Sequence, residues 1–149
     1  MSQDGDGIDL ETSLGYLLKE ASSALRAAME EVLRPLGMTV THYSCLELLA
    51  QRPGLSNSEL ARGAFVTRQT MNVLLQALER EGAVTRASDE AVGRAIPTQL
   101  TAEGRRSLAR ATAAVRGVEV RMTSGMTAAE QSDAFRSLRS MITALRADS

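Results

Sequence analysis

A chain of 149 residues with 44% apolar content is the size of about one domain and can bury a real core, and its net charge of −1 argues against a globally basic nucleic-acid binder. Trp is absent and Tyr and Phe number two each, so the apolar content is Leu, Ala, Val and Met, a mixture that favours helices over sheets. One cysteine, Cys45, excludes an internal disulfide framework or a cysteine-rich zinc site; no apolar run approaches the roughly 20 residues of a membrane span and no signal-peptide pattern opens the chain, so a cytoplasmic protein without membrane attachment is expected.

The first residues, MSQDGDGIDLET, read as a disordered acidic tail over 1–12. Asp4, Asp6 and Asp9 with Gly5 and Gly7 have the composition of a calcium loop. That loop needs Glu at its twelfth position, and counting from Ser2 or Asp4 puts Ser13 or Gly15 there. From Ser13, Leu14, Leu17, Leu18, Ala21, Leu25, Ala28, Met29, Val32 and Leu36 recur at three-four spacing, which predicts a long amphipathic helix ended by Arg34-Pro35 and Gly37. A second helix follows Thr39, with Tyr43, Leu46, Leu49 and Ala50 on one face, and stops before Arg52-Pro53-Gly54. Ser56-Asn57-Ser58-Glu59 is a capping box that opens a short third helix ending near Gly63, with Leu55 and Leu60 placed as its hydrophobic staple.

The next stretch, VTRQTMNVLLQALEREG, is polar in its first turn and greasy afterwards. Thr67 is the predicted N-cap; Met71, Leu74, Leu75 and Leu78 form the buried stripe; Gly82 closes the helix. Arg68, Gln69, Thr70 and Asn72 gather at the N-terminal end, where helix amides and dipole attract anions. Two helices joined by a tight turn, the second polar at its front, match the helix-turn-helix design. AVTRAS and GRAIPTQL are short β-prone segments around Asp89, Glu90 and Gly93, a hairpin in the position of a wing, with Pro97 confining the return strand to an edge. Thr101 starts a long helix with the stripe Leu108, Ala111, Val115, Val118 and Met122. Thr127 to Glu130 is a second capping box, opening a last helix with Phe135, Leu138, Ile142 and Leu145. Charge is uneven along this order: from Arg52 to Arg106 eight Arg stand against six acidic residues, a net of +2, while the rest of the chain sums to −3. Sixteen of the seventeen cations are Arg, whose planar forked donors suit phosphate and guanine.

This order, carried by LGYLLKEASSALR (Leu14–Arg26), LSNSELARG (Leu55–Gly63), VTRQTMNVLLQALEREGAVTR (Val66–Arg86) and LTAEGR (Leu100–Arg105), resembles the MarR family of winged helix-turn-helix transcriptional regulators over nearly the whole chain, Leu14 to Leu145. The fold expected is mainly α with a small β wing: one domain over 13–149, with a winged DNA-binding lobe at about 39–100 and dimerisation helices at about 13–36 and 101–147. The resemblance implies a homodimer on a pseudo-palindromic double-stranded DNA operator. It puts Arg68, Gln69, Thr70, Asn72, Val73 and Gln76 on the reading face, Ser56 and Asn57 toward phosphate, and Arg86 and the wing-tip Arg94 beside them. Leu14, Leu17, Leu108, Val115, Leu138, Ile142 and Leu145 are expected in the dimer interface.

Departures from the family pattern shape this expectation. Phe65 stands where relatives have a turn glycine, so the turn must take a different backbone shape or hold Phe65 at negative φ. Val92-Gly93 replaces the acidic partner of the wing arginine. Val73 and Ala77 stand where relatives often carry Arg, and the methyl-bearing side chain of Val73 could meet a thymine methyl.

Tyr16, Lys19, His42 and Tyr43 offer a few polar groups in an otherwise apolar cleft between the first, second and fifth helices, as expected for a small aromatic or phenolic effector. Glu20 is the one carboxylate expected near it, facing water. His42 and Tyr43 are equally readable as half-buried packing residues, and Cys45 as a small core hydrophobe. One His, one Cys and no Gly-rich phosphate loop leave no nucleophile–base pair, metal set or cofactor motif, so no enzymatic role is expected. A protein-interaction dimer that keeps the winged scaffold but has lost specific DNA binding is the alternative.

Overall fold

Side-chain caps start all six helices: Ser13, Thr39, Ser56, Thr67, Thr101 and Thr127 each accept a hydrogen bond from the backbone N–H three residues on, which satisfies one of the donors a helix start leaves orphaned. The computed structural model describes residues 7–86 and 98–147. In chain order they form α1 (Leu14–Leu33), a 3-10 turn (Arg34–Leu36), α2 (Val40–Gln51), α3 (Asn57–Gly63), α4 (Arg68–Arg80), β1 (Val84–Arg86), β2 (Thr98–Leu100), α5 (Ala102–Met122) and α6 (Ala128–Arg146). Residues 9–12, expected within the tail, make a turn in which the Thr12 N–H donates to the Asp9 carbonyl at 3.1 Å.

The chain divides into two compact units, one ending at Val115 and the other beginning at Arg116. In the first, Leu33 of α1, Cys45 and Leu46 of α2, Leu60 of α3 and Met71, Leu75 and Leu78 of α4 are fully buried. Leu108, Ala111 and Val115 of α5 belong to the same core, together with Val84 and Leu100. Leu108 and Val115, expected in the dimer interface, lie on the first half of α5, where the chain's own lobe covers them. Leu14 and Leu17, by contrast, are exposed on the first half of α1.

The strands pair antiparallel, Val84 with Leu100 and Arg86 with Thr98, so that Val84 and Leu100 face the core while Thr85 and Gln99 face solvent. The wing tip, including Val92, Gly93, Arg94 and Pro97, lies outside the described residues. α4 ends in a Schellman motif: Gly82 takes φ +84°, its N–H donates to the Glu79 carbonyl, and the Ala83 N–H donates to the Leu78 carbonyl. Directly behind that turn, the Thr101 backbone N–H and hydroxyl bind the carbonyls of Gly82 and Ala83, the hydroxyl to Gly82 at 2.6 Å. Gly104 allows this approach, because a Cβ there would stand 2.1 Å from the Ala83 carbonyl oxygen.

In the second unit, α6 opens with the capping box Thr127–Glu130 and has no buried residue. The Arg139 guanidinium lies 5.2 Å from the centroid of the Phe135 ring, and Arg136 pairs with Asp133. Phe135, Leu138, Ile142 and Leu145 are all exposed.

Candidate nucleic-acid interface

The site starts with a helix whose two sides differ sharply. Met71, Leu75 and Leu78 of α4 are fully buried, and the rotation of 3.6 residues per turn then carries Arg68, Gln69, Thr70, Asn72, Val73 and Gln76 to the outer side, where all six are exposed. Val73 is 61% exposed although apolar, which leaves it free for a methyl contact. The Thr67 hydroxyl accepts from the Thr70 N–H and donates to the Thr70 hydroxyl, both at 3.0 Å, fixing the start of the helix.

α3 crosses behind this face and touches it with two side chains. Asn57 Nδ2 donates to Asn72 Oδ1 at 2.9 Å, and Arg68 Nη1 donates to Ser58 Oγ at a looser 3.4 Å. Ser56 and Asn57, expected to face phosphate, are therefore engaged within the protein. Both polar groups of Ser56 serve the capping box: its N–H donates to Glu59 Oε1 at 2.8 Å and its hydroxyl accepts from the Glu59 N–H. The hydrogen bonds from the Ser56 backbone and side chain hold the Glu59 carboxyl below its ordinary range. A carboxylate thus occupies the N-terminus of α3, and its charge opposes a phosphate there.

The turn between α3 and α4 corrects the expectation for Phe65, which neither changes the backbone shape nor takes negative φ. It sits at φ +62°, the left-handed region, with its ring 85% exposed. The backbone keeps the shape a glycine would give it and forces it on a bulky L-residue, at a cost of about 1–2 kcal/mol. At the wing, Arg86 ends β1 half-buried, with Nε and Nη2 shut from solvent and without a hydrogen-bond partner among the described residues. Arg94 lies outside the described residues.

The expected effector residues split between two settings. Tyr16 and Lys19 are exposed on α1, while His42 and Tyr43 are half-buried on α2. Burial lowers the His42 pKa, against a smaller opposing pull from the Glu81 carboxylate. Tyr43 donates its hydroxyl to Glu47 Oε2 at 2.5 Å, and Thr112 of α5 donates to the same oxygen at 2.9 Å; Gln51 Nε2 donates to Oε1. Glu47 corrects the expectation that Glu20 is the one carboxylate near this region. It stands one helical turn after Tyr43, and the i, i+4 spacing was its signal in the sequence. Cys45 is fully buried, and burial pushes its thiol up to about 12. Among the described residues no group of His, Cys, Asp and Glu could hold a metal ion, and no helix is long and apolar enough to cross a membrane.

Comparison with known proteins gives this arrangement a lineage. The MarR family model matches residues 36–95. The HTH-type transcriptional repressor Rv2887 of Mycobacterium tuberculosis is 42% identical over 135 residues, covering 91% of this chain and 97% of the relative. The crystal structure of Rv2887 with salicylic acid aligns with a TM-score of 0.74 at 43% identity, over 87% of this chain and 96% of that one. Its complex with DNA aligns with a TM-score of 0.72 at 42% identity, over 87% and 98%. With the helix order, the capped α3, the polar outer face of α4 and the two-stranded wing all in place, the chain belongs to the MarR family of winged helix-turn-helix transcriptional regulators.

Proposed function

We propose that this protein is a ligand-responsive repressor that binds a pseudo-palindromic operator as a homodimer. The observation that carries the reading is the outer face of α4, where Arg68, Gln69, Thr70, Asn72, Val73 and Gln76 are presented together over a fully buried Met71–Leu75–Leu78 stripe. Arg and Asn carry the forked donor and acceptor pairs that read base edges in the major groove, and Val73 adds an apolar contact for a thymine methyl. Arg86 and Arg94 supply the wing, in a lobe of about 39–100. Leu14 and Leu17 of α1 and Leu138, Ile142 and Leu145 of α6, large apolar groups left in water by a single chain, join the subunits.

The signal is a small aromatic acid or phenol bound near His42 and Tyr43, with Tyr16 and Lys19 as further polar handles. The solved complex of Rv2887 with salicylic acid supports this class. Such a ligand acts by favouring one spacing of the two recognition helices over the spacing the groove requires. Oxidation of Cys45 is not the signal: a buried thiol with its pKa raised to about 12 holds almost no thiolate at neutral pH.

Selection of bound sequences from random DNA, followed by affinity measurements at several salt concentrations, tests the reading. Half-sites about 10 bp apart and a steep salt dependence are expected. Equal affinity for selected and random duplexes would favour the protein-interaction dimer instead. A release titration with aromatic acids, phenols and peroxide on the wild type and Cys45→Ser tests the signal. Release by peroxide alone, abolished in Cys45→Ser, would overturn it.

A further inference from the structure

The hydrogen bond between Asn57 and Asn72 joins two residues 15 apart in sequence, from different helices, on the outer face of the lobe. An exposed Asn on a helix ordinarily samples more than one side-chain rotamer, and its amide can present oxygen or nitrogen in either order. Adenine demands one order: an acceptor opposite its N6 amine and a donor opposite N7. Asn72 does not have that freedom here. Its Oδ1 accepts from Asn57 Nδ2 at 2.9 Å, which ties the oxygen end of the amide to α3. A carbonyl oxygen has two lone pairs, so the held Oδ1 still accepts from a second donor.

Asn57 is itself placed rigidly. It is the first residue of α3, directly after the N-cap Ser56 and inside the Ser56–Glu59 capping box, and the helix is pinned by buried Leu60 and Ala61. The neighbouring residue does the same for the other end of the face: Ser58 accepts from Arg68, which lies four residues before Asn72 and on the same side of α4. The first turn of α3 thus backs both long polar groups of one recognition stripe.

We infer that Asn57 is a positioning residue for base readout: it orients the Asn72 amide so that Oδ1 and Nδ2 together meet the major-groove edge of one adenine in each half-site. This rests on α4 being the recognition helix, as proposed above. Asn57 then determines specificity at a base pair it does not itself read, through a bond already made before DNA arrives, so that no rotamer has to be ordered on binding.

The test uses the full-length protein and its own selected duplex. Wild type, Asn72→Ala, Asn57→Ala, Asn57→Gln and the double Ala variant are titrated against the selected sequence, against each single-base change and against random DNA, at two salt concentrations. Thermal melts confirm that each variant is folded. Asn72→Ala is expected to lose discrimination roughly tenfold at one adenine position of each half-site. Asn57→Ala should lose severalfold at that same position, with unchanged affinity for random DNA and an unchanged salt slope. Asn57→Gln, which keeps an amide donor, should recover part of the loss, and the double variant should be no worse than Asn72→Ala. Asn57→Ala with full discrimination overturns the inference, as does a loss that adds to that of Asn72→Ala. So does a uniform loss over all sequences with a reduced salt slope, which marks a phosphate contact. A wild type without sequence preference removes the recognition reading itself, and that outcome is distinct because it is seen before any variant is made.

Discussion

Replacing Gly104 by alanine sets two well-defined effects against each other. α5 gains helix propensity, up to about 1 kcal/mol for Gly to Ala in a helix. The new Cβ, however, would lie 2.1 Å from the Ala83 carbonyl oxygen and 3.0 Å from its carbonyl carbon, and both are backbone. Relief to an ordinary carbon–oxygen contact of roughly 3.3 Å requires α5 and the Gly82–Ala83 turn to separate by about 1 Å. Hydrogen bonds do not survive that displacement, since their useful range of donor–acceptor distance spans only about 0.5 Å. At stake are the three bonds that cross the junction, the Thr101 N–H to Ala83 and the Thr101 hydroxyl to Gly82 and to Ala83. At about 1 kcal/mol net for each of three lost bonds, less the propensity gain, the variant is destabilised by about 2 kcal/mol. That is a fall in Tm of roughly 4–8 °C for a chain of this size. Gly117→Ala on the same helix meets nothing within 4 Å and should be neutral or stabilising. Differential scanning calorimetry of both variants decides the matter. A Gly104→Ala protein that melts at or above the wild type would refute the close-approach reasoning.

At position 65 the left-handed backbone should invert the usual order of substitutions: Phe65→Gly should exceed Phe65→Ala in stability by about 1 kcal/mol, measured by urea unfolding, and the reverse order would contradict the strain. His42 has its folded-state pKa lowered by burial, so the unfolded chain binds the extra proton first. Stability should hold above the ordinary histidine pKa of about 6.5 and fall as pH drops below it; His42→Gln should flatten that part of the stability–pH profile, and an unchanged slope would assign it elsewhere. Leu138→Glu or Leu145→Glu places a charge among the exposed apolar groups of α6 and should convert dimer to monomer in sedimentation at micromolar concentration. A wild type that sediments as a monomer there would remove the dimer proposal.

Local chemistry made the helix starts legible in the sequence, because a cap residue and its partner sit at a fixed offset of three; Ser13, Thr39, Ser56, Thr67 and Thr127 were all readable this way. The outer face of α4 was legible for the same reason, as the complement of its apolar stripe. Periodicity identifies a face but not what covers it. Leu108 and Val115 read just like Leu138 and Leu145, yet the first pair is buried in the chain's own core and the second is exposed. Long-range pairs left no trace: Thr112 meets Glu47 across 65 residues, and Asn57 meets Asn72 across 15. Phe65 was visible as an anomaly, but the expectation that the backbone would yield to it failed, because the turn keeps its left-handed shape with Phe65 in it. Gly104 lay inside the recognised LTAEGR segment, and its reason became apparent only with the Ala83 carbonyl beside it.

The junction of Gly82, Ala83, Thr101 and Gly104 also determines how movement reaches the reading face. α4 has 13 residues and is therefore about 20 Å long, anchored at its C-terminal end to the start of α5 by contacts with no slack. Moving together with the α3 residues bonded to it, α4 would tilt as a stiff lever about that end, with Arg68 at its far tip. A rotation of about 5° at the pivot sweeps the tip through roughly 1.7 Å over that length, several times the tolerance of a base-edge hydrogen bond. A tilt too small to disturb the packing around the pivot is thus enough to put the reading end out of register, and the short arm beside Leu78 hardly moves at all.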